Sequence, residues 1–271
     1  MLKFLKNWTL PLAMFAGAIG YFLLANVTIL EPAKPFVNWL IAVLTPFLIF
    51  AQLLLTFCKI EPKELLPKAW HVWLLSIQAV SSGIIALLLI FCPMEEAYRD
   101  IFEGAMVCLI CPTATAAAVI TGKLGGSAST LTTYTLLSNV LAAIAVPLVF
   151  PLVEPHADIT FVVAFLKILS KVFPLLLAPF FIALLFRYYI PSVHRLLSKY
   201  HGVAFYLWAV ALTIVTGQTV RSLVTAAADV SIEIMIALAG LATCCLQFYF
   251  GKRIGLSLIH ISEPTRPISI S

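Results

Sequence analysis

The 271-residue chain is 62% hydrophobic and 11% charged, with 17 basic and 12 acidic side chains for a formal charge of +5, and its mean hydropathy is +1.06. A soluble globule carries about a quarter charged residues, so a water-solvated domain, a disordered chain and a disulfide-stapled secreted module are all excluded. Segments able to cross about 30 Å of hydrocarbon, which takes about 20 apolar residues, recur along the chain. The expectation is a polytopic, all-α membrane helix bundle whose solvent is the lipid bilayer, with no nucleic-acid partner.

Polar and Pro-containing breaks divide the chain into eight segments: 8–30, 36–57, 70–92, 101–121, 127–153, 159–190, 202–224 and 232–247. Lys3 and Lys6 precede the first, which is longer than a signal-peptide core and lacks a small-residue cleavage site, so it reads as a retained span. The sixth is too long for one simple span. Its first part carries Lys167 and Lys171 one turn apart, the pattern of an interfacial helix feeding a span that starts after Pro174. Trp8, Trp39, Trp70, Trp73, Tyr188 and Tyr189 fall at segment ends, as in an aromatic belt. Cysteines 58, 92, 108, 111, 244 and 245 lie in or beside apolar segments and read as small buried hydrophobes, with no metal site.

Sorting the basic residues onto alternate sides gives Lys3, Lys6, Lys59, Lys63, Lys68, Lys123, Arg187, Arg195, Lys199, Lys252 and Arg253 on the N-terminal side, against Lys34, Arg99 and Arg221 on the other. The positive-inside rule then predicts a cytoplasmic N-terminus in a plasma or inner membrane.

The fourth segment is unlike its neighbours. It is apolar to Ile110, then reads Cys111-Pro112-Thr113-Ala114-Thr115-Ala116-Ala117-Ala118 and ends in the Gly-marked turn Gly122-Lys123-Leu124-Gly125-Gly126. Proline removes a backbone donor and clashes with the preceding turn, so a helix breaks near Pro112. Carbonyls freed in hydrocarbon must be satisfied by protein groups or cavity water, and Thr113 and Thr115 are placed to do so. Two readings follow: a kinked helix without a transport role, or a discontinuous helix whose middle lines an ion or substrate site. In the fifth segment Ser129, Thr132, Thr135 and Asn139 share one helix face. Their oxygens suit a small hard cation, or hydrogen bonds to neighbouring helices.

Cys111-Pro112 with a Thr/Ala-rich stretch, a Gly-marked turn and a Ser/Thr-rich span reaching Pro147 resembles the bile acid:sodium symporter family. The resemblance implies two inverted five-helix repeats, each with a broken fourth helix, and a secondary transporter of a small organic anion driven by Na+ or H+ through alternating access. On this reading residues 1–158 are the complete first repeat and 159–255 an incomplete second one, giving about eight of ten expected spans. The family's Gly-Gly-Thr-Ala-Ser-Asn after Cys-Pro supplies Ser and Asn ligands to sodium. Here Ala117 and Ala118 stand in their place, while Thr132 and Thr135 remain near the hydroxyl ligands of the fifth helix. That departure leaves a single coupling ion, proton coupling or facilitated transport as the alternatives, with no cofactor beyond the ion. The expected binding residues are Pro112, Thr113, Thr115, Ser129, Thr132, Thr135 and Asn139, and a helix N-terminus after the break would attract a carboxylate. Residues 256–271, from Leu256 through Arg266, resemble a translated sequencing adapter, so a chain cut before its last two helices is expected, with His260 and Glu263 carrying no function.

An enzyme is not expected: His71, His156, His194, His201 and His260, like Asp100, Asp158 and Asp229, lie in loops or at span ends. A membrane scaffold or inactive fragment is the competing reading. Of the other intramembrane polar residues, Gln78, Ser81 and Ser82 lie in the third span and Gln218 in the seventh. Arg221 falls at the seventh span's outer end, where it can snorkel or attract an anion.

Overall fold

The computed structural model describes residues 8–59, 67–114, 117, 121, 127–155, 159–200, 203–225 and 230–262. The regular elements among them are all helical: α1 (Thr9–Asn26), a 3-10 turn (Thr28–Ala33), α2 (Lys34–Lys59), α3 (Ala69–Phe91), α4 (Glu96–Ile110), α5 (Ala128–Val153), α6 (Phe161–Leu176), α7 (Ala178–Tyr189), α8 (Pro191–Lys199), α9 (Val203–Thr225) and α10 (Val230–Ser262). Six of them are long and apolar enough to cross a membrane. Phe15, Phe47, Trp73 and Phe91 stand on the outside, more than half exposed, an apolar surface of the kind that faces a membrane or a partner.

Three boundaries differ from the sequence expectation. The first helix stops at Asn26, and a 3-10 turn containing Pro32 leads into α2. The sixth segment bends by 43°, but at Leu177 and not directly after Pro174, which α6 contains. Pro179 sits in the first turn of α7; its ring conflicts with the carbonyl four residues back, so a continuous helix stops short of it. The last helix extends to Ser262, well beyond the expected Gln247.

The helices form two compact units. One comprises Met1–Leu65, Ala114–Thr132 and Ser170–Ala228; the other comprises Leu66–Thr113, Thr133–Leu169 and Asp229–Ser271. In the first, α9 packs on α1 and α2, and α2 packs on α7 and α8. The α1/α9 crossing is close, with Gly17 against the backbone of Thr213 and Gly217. The last two turns of α2 are its most buried part, with Phe57 edge-on to Phe180 at 5.6 Å. Ser198 of α8 donates to the Cys58 carbonyl at 2.7 Å, satisfying one of the acceptors a helix C-terminus leaves open.

In the second unit α4 packs on α3 and α10. Ala86, Leu89, Met106 and Val153 form its core, with Ile85, Val149 and Phe150 around them. Arg99 fastens the start of α4 to the end of α5: it pairs with Glu103 at 2.9 Å and donates to the Val153 carbonyl. A cation on the last carbonyls of a helix also complements its dipole.

Candidate functional site

The fourth span is broken where the sequence requires it. Fifteen residues make α4, a rod of about 22 Å that is too short to cross the hydrocarbon alone. Its last turn closes with the Cys111 amide donating to the Val107 carbonyl at 3.1 Å. Cys111 then turns extended, with φ −61° and ψ 134°, the conformation that a following proline imposes. Pro112 and Thr113 continue the non-helical run.

Leaving the helix strands the carbonyls of Ile110 and Cys111. Gln78 of α3 takes both, its amide Nε2 donating to each at 3.2 Å. Ser138 of α5 donates to Gln78 Oε1 at 3.3 Å, and the same hydroxyl accepts the Thr113 backbone amide at 3.3 Å. The result is a set of four hydrogen bonds among five residues in which each group acts in a role its chemistry allows. Gln78 and Ser138 are both buried, at 7% and 0% exposed, so the replaced water would not be regained if a partner were removed. Tyr134 interacts with the Thr113 side chain and lies against Trp70 and His71. His71, fully buried, accepts the Lys68 amide on Nδ1 at 2.9 Å, which caps the start of α3.

Of the expected binding residues, Pro112 and Thr113 lie half-buried in the break. Thr135 and Asn139 are buried on the part of α5 that belongs to the second unit, Asn139 only four residues and one turn beyond Thr135. Ser129, half-buried, and Thr132, buried, lie on the part counted with the first unit. Thr115 and Ala118 fall outside the described residues, whereas Ala117 is half-buried. The buried stripe of α5 is wider than the expected face, because Thr133 and Ser138 join it. Val140, Ile144, Leu148 and Leu152 form the exposed opposite face, four residues apart.

Ser138 and Gln78 are the residues the one-face pattern misses. Both are visible in the sequence as polar groups inside apolar spans, but nothing in the spacing says that they meet across 60 positions. The amide nitrogen of Asn139 has no hydrogen-bond partner among the described residues. A half-turn of that carboxamide exchanges nitrogen for oxygen, the end a cation would take.

No curated protein matches the chain. A family model does: that of the sodium bile acid symporter family matches residues 3–226, so the chain belongs to this family, whose members are transporters.

Proposed function

We propose that this member of the sodium bile acid symporter family is a secondary transporter of a small organic anion, coupled to Na+ or H+ and working by alternating access. The observation that carries the reading is the break itself. A helix interrupted in mid-span, with its freed carbonyls held by Gln78 and its next amide held by Ser138, is irregular backbone at membrane depth. Such backbone is tolerated where it lines a cavity or is enclosed by protein, and in transporters it forms the ion and substrate site.

In this reading Pro112, Thr113 and Thr115 form the broken middle, and Ser129, Thr132, Thr135 and Asn139 supply oxygens from α5. Hydroxyl and carboxamide oxygens suit Na+ as a hard cation. With alanine at 117 and 118, ligation rests on the α5 oxygens, which supports one coupling ion. Residues 1–158 and 159–255 are read as a first five-helix repeat and part of a second, and one bundle rocks against the other to move the site between faces.

The test is uptake of a radiolabelled bile acid and of a short carboxylate into proteoliposomes under a Na+ gradient, a pH gradient or neither. Gradient-stimulated uptake is expected, and Thr113→Val and Thr115→Val should reduce it while leaving the reconstituted amount unchanged. Uptake that is equal under all three conditions would exclude coupling, and normal uptake by both mutants would remove the site assignment.

A further inference from the structure

The end of the first unit at which α2 and α7 finish carries the short helix α8, whose sequence divides around the helix axis. Ile190 leaves α7 with φ −132° and ψ 68°, and Pro191 opens α8 at its first helical position. At about 100° per residue, Val193, His194, Leu197 and Ser198 share one arc, and all four are half-buried. That arc faces the protein, since α8 packs on α7 and α2 and Ser198 bonds the Cys58 carbonyl. Arg195, Leu196, Lys199 and Tyr200 fall on the opposite arc and are exposed.

This end of the unit carries one sign of charge. Lys59 lies in the last turn of α2, Arg187 in the last turn of α7 and Lys199 in the last turn of α8. His194 adds no charge at neutral pH, because burial and the neighbouring Arg187 hold its pKa below the ordinary histidine value. From residue 159 to residue 228 the sequence has no acid and six basic residues. Among the described residues of the first unit the one acid is Glu31. It pairs with Lys34 at the start of α2, about 39 Å from the Lys59 end. Glu61, Lys63 and Glu64 fall outside the described residues. Tyr188, Tyr189, Leu196 and Tyr200 are exposed among these cations, and such groups are favoured at the headgroup boundary of a bilayer.

We infer that the outer arc of α8 docks on anionic phospholipid of the bilayer surface, with Arg195 and Lys199 at the phosphates and Leu196, Tyr200, Tyr188 and Tyr189 in the headgroup boundary. Position and charge together select this occupant. The helix follows directly on the bent α6–α7 crossing, so it begins where the chain leaves the hydrocarbon. The positive-inside rule predicts this end to be cytoplasmic, the side on which anionic lipids attract basic segments. A zwitterionic surface would take the aromatic groups but give the cations no net attraction. The inference needs the chain to span a membrane and needs no transport.

The experiment places a reporter on the outer arc. All six cysteines are replaced by alanine, Leu196→Cys is introduced, and the new thiol is labelled with bimane in full-length protein reconstituted in phosphatidylcholine nanodiscs. Doxyl-labelled phosphatidylglycerol and doxyl-labelled phosphatidylcholine are compared as quenchers at equal mole fraction, with iodide as the aqueous quencher. Both lipids should quench, phosphatidylglycerol at least about twofold more strongly, and the difference should fade at high salt. Arg195→Gln combined with Lys199→Gln should abolish the preference while quenching by phosphatidylcholine persists. Arg221→Gln should leave it unchanged, because Arg221 bonds Asn38 at the opposite end of the unit. Equal quenching by the two lipids would overturn the headgroup assignment, and so would a preference that survives the double variant. Quenching by iodide alone would place the arc in water, and protection from every quencher would mean that protein covers it; either result removes the site.

Discussion

At the scale of single residues, the polar groups around the α4 break are held by one another, so removing one leaves a buried partner without water to replace it. Gln78→Leu has nearly the right volume but strands the Ile110 and Cys111 carbonyls and the Ser138 hydroxyl. The expected loss is about 1–3 kcal/mol, read as a lowered midpoint of thermal unfolding in detergent, and an unchanged midpoint would mean that the break is held by something else. Ser138→Ala should lose less, since it removes the donor to Gln78 and the acceptor for the Thr113 amide but leaves both carbonyls of the break satisfied. Arg99→Met tests a second junction, because it leaves the Val153 carbonyl and the Glu103 carboxylate without their shared cation. Loss of thermal stability is expected there too, and Glu103→Gln introduced alongside should recover part of it. No recovery would show that the guanidinium acts through the carbonyl alone. The sequence makes the break legible, since Pro112 dictates both where α4 ends and how Cys111 is turned. It does not make the support legible, because a glutamine and a serine 60 positions apart carry no mark of being partners.

At the scale of elements, apolar length and proline position account for most of the helix map, and the misreadings have a common origin. Proline spoils the helix on its N-terminal side, through the carbonyl four residues back. The bend between α6 and α7 is therefore governed by Pro179 as well as Pro174, and it falls between them at Leu177. A reading that breaks the helix after its first proline places the bend too early. Glycine shows the same dependence on partners. Gly17 and Gly20 are one turn apart on α1 and look equivalent in the sequence, yet a Cβ on Gly17 collides with the Thr213 carbonyl whereas one on Gly20 meets open space. Gly17→Ala should thus force α1 and α9 apart, at a cost on the order of 1–3 kcal/mol for overpacking against backbone. Gly20→Ala should be neutral or stabilising by up to about 1 kcal/mol through helix propensity. Thermal unfolding of the two purified variants side by side checks this, and equal behaviour would contradict the close crossing.

At the scale of the whole molecule, the surface and the charges describe the same environment. Large apolar side chains point outward along the long helices, and most of the basic residues fall at or near the ends of the apolar segments in the sequence. Alternate sorting of those residues depends on the number of spans that precede each one, so an extra or missing crossing would mix the two groups. The separation holds with α4 counted as part of one broken crossing and α6 with α7 as one bent crossing. The positive-inside rule predicts that Lys59, Lys68 and Lys199 face the cytoplasm and that the turn between α3 and α4, which carries Cys92, faces away from it. Cys92 is free and exposed, which makes it a natural probe. A variant in which the other five cysteines are replaced by alanine should react with a membrane-impermeant maleimide in intact cells. A cysteine-free variant carrying Lys199→Cys should react only after the membrane is permeabilised. The reverse pattern would invert the assigned orientation, and labelling of both in intact cells would mean that an odd number of crossings between residues 92 and 199 is wrong. Because the charge sorting and the crossing count stand or fall together, this pair of labels tests both at once.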